Sequence, residues 1–277
     1  HRAPAGEQTR YLIGSGAICI AYETVTSWNR TLPLLTPMSE VAGRMSVQVG
    51  ARCLEKEAGG RGVLLGGVPG VPAGDVVILG GGVAGTNAAL IALGMGATVT
   101  VVDRSADALR RLVAEFGTSV RTMFSTRDAI ESLVAGADLV IGTVLVPGAE
   151  APKLVTREMV ASMKTGSVIV DVAIDQGGCC ETSRPTSHSE PTYVVDDVVH
   201  YCVTNMPGAL ARTSTFALNN VTLPFALAIA GKGYRDALAD DIHLRDGLNV
   251  IDGKITCKPV ADAQGLEFVK PEVALGL

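Results

Sequence analysis

One short segment limits the fold of this chain more than any other feature. Residues 80–85, Gly-Gly-Gly-Val-Ala-Gly, carry the spacing G-x-G-x-x-G. The segment follows the apolar stretch 75–79, which is typical of a buried strand, and precedes the small-residue stretch 83–95, which is typical of a helix. At such a strand-to-helix junction this spacing serves to receive a pyrophosphate. The junction therefore predicts a βαβ unit that binds a dinucleotide.

Each residue of the motif has a separate mechanical role. Gly80 allows the tight turn, Gly82 lets the backbone approach the pyrophosphate, and Gly85 lets the helix pack closely on the sheet. Val83 and Ala84 begin the helix, whose free N–H groups and dipole favour negative phosphates. All five residues are predicted cofactor contacts.

Asp103 ends the second predicted strand, roughly 20 residues after the motif, where the fingerprint expects an acidic residue. Its carboxylate can accept both ribose hydroxyls and would repel a 2′-phosphate, which favours NAD over NADP. Arg104 is an opposing feature, because a guanidinium can accommodate that phosphate; alternatively it is a solvated residue before Ser105, the predicted helix N-cap.

Strand and helix patterns alternate from residue 75 to residue 203, which predicts an α/β fold with a doubly wound parallel sheet. The predicted strands are 75–79, 98–102, 121–124, 138–141, 167–172 and 199–203, and the predicted helices are 83–95, 105–116, 128–134 and 157–163. Outside this region we predict helices over 38–54 and 216–230, the latter kinked at Pro224 or beginning there, and a hairpin that turns at Asp252-Gly253.

Composition argues for a small soluble ligand. The net charge is −5 and no run of Lys or Arg occurs, which argues against nucleic acid and anionic membranes as partners. The longest apolar stretches, such as 167–174, are expected to be too short to span a bilayer. The six cysteines show neither CxxC pairs nor zinc spacing, so we expect no metal, no disulfides and a reducing cytoplasm. Cys179 and Cys180 are either reactive thiols or small buried residues.

Six segments resemble the alanine dehydrogenase family, whose relatives include the nucleotide-binding subunit of proton-pumping transhydrogenase. They are 20–25, 37–44, 66–71, the glycine motif, 171–179 and 205–208, and the resemblance that they carry extends over nearly the whole chain. Cys179, followed by Glu181, Ser183 and His188, is more similar to alanine dehydrogenase than to transhydrogenase.

The resemblance implies two catalytic residues. His1, in an H-x-A-P-like context, corresponds to the family's general acid/base; alternatively this terminal residue is frayed and idle. Asp175 follows the carboxyl end of a strand and corresponds to the aspartate that faces the substrate nitrogen and the nicotinamide; alternatively it caps the turn at 176–178.

The resemblance also implies further cofactor contacts. Ser39 would contact phosphate, although a plain helix serine is the alternative. The others expected are Ser125 on the adenine side, Leu145 on the ribose side, Asp175 beside the nicotinamide, Asn205 and Met206 flanking it, and Val172 as a further cofactor contact.

Relatives carry a segment ahead of the histidine with a G-x-P-x-E motif and the Arg and Lys that clamp the substrate carboxylate, and the printed sequence begins at His1. The expectation is a chain shortened at its N-terminus, with an NAD-binding domain at 37–211 and a reduced substrate domain at 1–36 and 212–277. Recognition of the substrate carboxylate would then come from other residues of this chain or from a partner subunit, or it would be lost. Two functions follow: an NAD-dependent L-alanine dehydrogenase, expected to be a homo-oligomer, or a non-catalytic NAD-binding module.

Overall fold

The computed structural model describes residues 6–144 and 150–277. The chain divides into two compact units, one of Ser39–Ala211 and one of His1–Met38 with Arg212–Leu277. The strands are β1 Cys19–Ile20, β2 Asp75–Leu79, β3 Thr98–Asp103, β4 Val120–Phe124, β5 Leu139–Gly142, β6 Val168–Asp171, β7 Thr192–Val195, β8 Val198–Tyr201, β9 Leu248–Ile251 and β10 Lys254–Ile255. The helices are α1 Gly6–Gly14, α2 Thr36–Cys53, α3 Val83–Gly94, α4 Ala106–Phe116, α5 Arg127–Gly136, α6 Arg157–Ala161, α7 Ala211–Lys232, α8 Tyr234–Asp240, α9 Ile242–Arg245, α10 Lys258–Gln264 and α11 Pro271–Leu275.

The larger unit is built on a seven-stranded sheet in the order β4-β3-β2-β5-β6-β8-β7. All neighbouring pairs from β4 to β8 are parallel, and only the edge pair β7–β8 is antiparallel. The order reverses between β2 and β5, which makes the carboxyl ends of these strands a switch point where open α/β sheets bind ligands. The predicted doubly wound α/β fold is confirmed.

Alternating side chains of each central strand enter two different apolar cores. In β2, Val76 and Ile78 belong to one core and Val77 and Leu79 to the other. The first core also contains side chains of α2, α3 and α4, and the second contains side chains of α5 and α6. The sheet is therefore covered on both faces, as its β-branched strands require.

The sequence did not predict β7, which pairs with β8 through a tight turn. Asp196 and Asp197 form that turn with positive φ angles of 48° and 61°. Aspartate adopts this conformation less readily than asparagine or glycine, so the turn lacks the usual sequence signal. α2 begins at Thr36, earlier than predicted, because Pro37 is tolerated in a first helical turn.

The smaller unit contains a three-stranded antiparallel sheet in the order β1-β9-β10. The predicted hairpin is confirmed: Asp252 and Gly253 both have positive φ angles and join β9 to β10. α7 is longer than predicted and Pro224 lies inside it, so proline does not begin this helix.

Within the described residues one helical segment, Met206–Lys232, is long and apolar enough to cross a membrane, with a mean hydropathy of 1.2. The sequence predicts a helix over 216–230 but no membrane span there, because polar residues break up its apolar run. Asn219 and Asn220 lie near its middle, where hydrocarbon would leave their amides without partners. Its length alone therefore does not assign it to a membrane.

Candidate active site

The predicted site residues lie on loops at one edge of the sheet. The glycine turn follows β2, Asp103 ends β3, Ser125 follows β4, Asp175 follows β6 and Asn205 follows β8. Because these strands are parallel, their carboxyl ends share an edge. His1 and Leu145 lie outside the described residues.

The glycine turn has the shape that a bound pyrophosphate requires. A Cβ on Gly85 would lie 1.8 Å from the carbonyl oxygen of Gly80, so only glycine fits there. A Cβ on Gly82 would meet nothing within 4 Å, so this backbone faces open space. Gly82 is the N-cap residue of α3, and no side chain caps that helix end. The turn thus leaves an N-terminal helix end open to an anion, and the residues present fit a dinucleotide.

Thr143 supports the turn from the neighbouring strand. It follows β5 and donates its hydroxyl to the carbonyl oxygens of Gly80 at 2.8 Å and Leu79 at 3.0 Å. The sequence did not indicate this residue, because a threonine after a strand is a common feature.

Asp103 holds the turn from the other side. One carboxylate oxygen accepts the N–H of Gly81 at 2.6 Å, and the other accepts the N–H of Ser105 at 2.7 Å. Arg111 donates to the carbonyl oxygen of Gly81 at 2.8 Å. The residue predicted as a ribose ligand is therefore also an anchor of the cofactor loop, a role that the sequence did not indicate. Arg104 is exposed.

The helix that carries Ser39 reaches the glycine turn. A Cβ on Gly43 in α2 would lie 2.1 Å from the carbonyl oxygen of Ala84, and Arg44 donates to the side chain of Asn87 at 2.8 Å. Ser39 lies one helical turn before Gly43, on the same face. The close contact of α2 and α3 therefore places this half-buried serine near the start of α3.

The loop after β6 presents Asp175 at the sheet edge. A short 3-10 helix, Val172–Gln176, carries it, and Gly177 and Gly178 follow with positive φ angles of 90° and 79°. Asp175 is exposed, and its carboxylate accepts the N–H of Asn205 at 3.3 Å. The structure thus brings these two predicted residues, from different strands, into contact.

Asp171 caps that short helix. Its buried carboxylate accepts the N–H groups of Ala173 at 3.1 Å, Cys179 at 2.8 Å and Cys180 at 3.3 Å, and the hydroxyl of Ser183 at 2.6 Å. The sequence did not single out this residue, because the last residue of a buried strand resembles any other until its loop is seen.

Asn205 adopts the left-handed conformation, with φ of 54° and ψ of 52°. Its carbonyl oxygen accepts the N–H of Gly208 at 2.9 Å. A Cβ on Gly208 would lie 3.1 Å from Nδ2 of Asn205 and 3.4 Å from Nε2 of His188, so His188 borders this loop. Met206 is buried in the core, and its contact with the cofactor stays a prediction.

Ser125 lines a cavity of about 350 Å³ beside the N-terminus of α5. Arg127 and Lys153 contribute to the same cavity. The cavity lies next to β4, and the adenine-side role of Ser125 stays a prediction.

The cysteines after the glycine pair are buried. Cys179 and Cys180 have no exposed surface, and with Asp171 they form the one group of possible metal ligands in the described part of the chain, all within 4.8 Å. A hydrogen bond with Cys180, burial, and the carboxylate of Asp171 raise the pKa of the Cys179 thiol. A metal needs the thiolate, and Asp171 is already engaged by four donors, so this group serves the loop rather than a metal.

Comparisons with known proteins agree with this geometry. The family model "Alanine dehydrogenase/PNT, C-terminal domain" matches residues 46–258. The chain is 60% identical to alanine dehydrogenase of Halomonas elongata over 276 residues, covering 100% of this chain and 74% of the relative. It is 57% identical to alanine dehydrogenase of Bacillus subtilis, covering 99% of this chain and 73% of that protein.

Solved structures give the same result. An L-alanine dehydrogenase superposes with a TM-score of 0.90 at 56% identity, covering 95% of this chain and 73% of the other. A transhydrogenase from Sinorhizobium meliloti superposes with a TM-score of 0.76 at 26% identity, covering 91% of this chain and 73% of the transhydrogenase chain. The sequence-based preference for the dehydrogenase branch is confirmed.

Fold and site together define a doubly wound protein of the nicotinamide-dinucleotide class, with an open glycine turn at its switch point. More specifically, the chain belongs to the alanine dehydrogenase/PNT family. The resemblance drawn from the sequence is confirmed.

Proposed function

We propose that this protein is an NAD-dependent L-alanine dehydrogenase, which converts L-alanine, NAD⁺ and water to pyruvate, ammonium, NADH and a proton. The observation that carries the proposal is the contact between Asp175 and Asn205 on the edge that also bears the open glycine turn. The relatives named alanine dehydrogenase support the same activity. The alternative of a non-catalytic NAD-binding module has no comparable support.

The loops after β2 and β3, together with α2, would bind the cofactor. The open N-terminus of α3 and Ser39 would hold the pyrophosphate, while Asp103 would accept the ribose hydroxyls through lone pairs not used by Gly81 and Ser105. A carboxylate at this position disfavours a 2′-phosphate, which is the basis for proposing NAD rather than NADP.

The loops after β6 and β8 would bind the substrate and position it for reaction. When bound, the nicotinamide ring accepts a hydride from the substrate α-carbon. Asp175 would hold the substrate nitrogen by a charge-assisted hydrogen bond, and the N–H of Asn205 fixes the orientation of that carboxylate. His1 would move the proton that water addition and imine hydrolysis require. Positioning of the reacting groups would supply much of the acceleration.

The test is a pair of initial-rate assays on the purified chain. NADH formation from L-alanine and NADH oxidation with pyruvate and ammonium are both expected, with NAD(H) preferred over NADP(H). NADH binding without turnover in either direction would refute the proposal and support the binding-module alternative.

We further propose that the protein is a homo-oligomer and resides in the cytoplasm. On α7, Phe216, Leu223 and Leu227 share one face and are 59%, 45% and 61% exposed, which favours contact with another chain. All six cysteines are free thiols, as a reducing compartment would keep them. Light scattering that finds a monomer, or fractionation that finds the protein outside the cytoplasm, would refute the respective proposal.

A further inference from the structure

The five consecutive carbonyl groups of residues 176–180, which follow Asp175, are all bonded by one segment. We call residues 151–155 the strap. The strap's backbone N–H groups cover two of the five carbonyls: Ala151 donates to Gln176 at 2.8 Å, and Leu154 and Val155 donate to Cys179 at 2.7 and 3.2 Å.

The other three carbonyls are bonded by one side chain. Nζ of Lys153 donates to the carbonyl oxygens of Gly177 at 2.5 Å, Gly178 at 2.9 Å and Cys180 at 3.4 Å. An ammonium group has three N–H donors, so this contact uses all of them. The two glycines are in the left-handed conformation, and Lys153 bonds the carbonyl oxygen of each.

Asp171 holds the same loop from the inside. Its carboxylate accepts the N–H groups of Cys179 and Cys180, while Lys153 binds carbonyls of the loop from the outside. Opposite charges thus bind opposite ends of the peptide dipoles in one short segment. Such double anchoring fixes a turn that contains two glycines and would otherwise have many conformations.

We propose that Lys153 is a positioning residue for Asp175: it fixes the turn at 177–178 and thereby sets the direction of the Asp175 carboxylate. The proposal rests on the proposed function of Asp175. Lys153 itself is an exposed residue, so its replacement removes the anchor without opening a cavity. A small displacement of a reacting group lowers the rate strongly, by up to about 100-fold for about 1 Å.

The first test compares Lys153→Met with Lys258→Met, a matched control whose lysine makes an exposed pair with Asp262 in α10. Lys153→Met should lower kcat by about 10- to 100-fold while changing the Kd for NADH by less than about threefold. The control should change neither. Lys153→Arg keeps a cationic side chain with several N–H donors. It should recover at least half of the decrease in log kcat that Lys153→Met causes. An unchanged kcat in Lys153→Met would overturn the proposal.

The second test separates positioning from general damage. In the Asp175→Asn background, Lys153→Met should cost less than about twofold in kcat, because the group that it positions is already disabled. A full additional loss of 10-fold or more would mean that Lys153 acts independently of Asp175, and would overturn the proposal.

The third test needs no turnover, so it separates this proposal from the proposed function. Amide hydrogen exchange of residues 176–181 should accelerate at least about tenfold in Lys153→Met, while that of β2 and β3 stays unchanged. Equal exchange in parent and variant would overturn the positioning role. If the parent lacks alanine dehydrogenase activity but the variant shows this local acceleration, only the proposed function fails.

Discussion

The carboxylate of Asp103 accepts the backbone N–H of Gly81 at 2.6 Å, so the residue that ends β3 holds the glycine turn that follows β2. This bond links cofactor choice to cofactor-loop geometry, because the same carboxylate faces the expected ribose position. A substitution at Asp103 should therefore affect both.

Replacing Asp103 with Ala should weaken NADH binding and narrow the preference for NADH over NADPH by about tenfold or more, because both the loop anchor and the repulsive charge are lost. Calorimetric Kd values for the two cofactors measure this. Asp107→Asn removes a nearby charge that is 91% exposed, and should leave the ratio unchanged. An unchanged ratio in Asp103→Ala would mean that the carboxylate does not set specificity.

Two glycines of the motif should respond in opposite ways. Gly85→Ala places a methyl group against the Gly80 carbonyl and should lower the free energy of unfolding by about 1–3 kcal/mol or more. The methyl group of Gly82→Ala would contact no protein atom, so the free energy of unfolding should change by less than about 1 kcal/mol. The Kd for NADH should rise at least about tenfold, because the methyl group occupies the space expected for the pyrophosphate.

Urea unfolding and NADH titration measure these two effects. Gly94→Ala, in α3 with open space at its Cβ, is the control and should alter neither quantity adversely. Normal cofactor affinity in Gly82→Ala would place the pyrophosphate elsewhere.

Asp171→Asn should destabilise the fold strongly. The amide keeps one acceptor oxygen but turns an NH₂ group toward buried donors, and we expect a loss of about 3 kcal/mol in unfolding free energy. Ser183→Ala removes only one donor to that carboxylate and should cost about 1–1.5 kcal/mol. Equal, small effects for both variants would contradict the anchoring role of the carboxylate.

His200 gives the protein an acid-sensitive core. It is fully buried, Nδ1 donates to the carbonyl oxygen of Val198, and Nε2 accepts the hydroxyl of Thr182 at 2.8 Å. Burial lowers its pKa from the ordinary value of 6.5. Below about pH 6.5 the unfolded chain therefore binds a proton that the folded chain refuses, and stability falls as the pH falls.

The free energy of unfolding should change with pH by at most about 1.4 kcal/mol per pH unit, because one proton is involved. Urea unfolding between pH 7.5 and 5.5 measures it, and the slope should flatten in His200→Gln but not in His188→Gln, where the histidine is exposed. Identical slopes in the parent and His200→Gln would show that His200 is not the responsible group.

Much of the larger unit could be predicted because its signals are local. The strands β2, β5 and β6 are short runs of buried apolar residues, and Ser105 caps α4 as its position before the helix predicts. The antiparallel strand β7 was missed, because its alternately exposed residues and its Asp-Asp turn resemble a loop.

The candidate site was predictable only in part. Residues of the glycine motif and Asp103 follow from spacing, whereas Asp175 and Asn205 were identified through family resemblance. Lys153 and Thr143 act through contacts between segments far apart in sequence, and such pairing leaves no pattern in a single chain. Asp171 bonds its own loop, whose conformation the sequence did not indicate.

The most direct test of this account follows deuterium from the α-carbon of [2-²H]-L-alanine in a single turnover with NAD⁺. Mass spectrometry should find the label in the NADH formed by the parent protein. Asp175→Asn should form labelled NADH at least about 100-fold more slowly and keep its NADH Kd within about threefold, whereas Asp262→Asn, on the surface of α10, should match the parent. Label transfer by Asp175→Asn at the parental rate, or no transfer by the parent, would contradict the account.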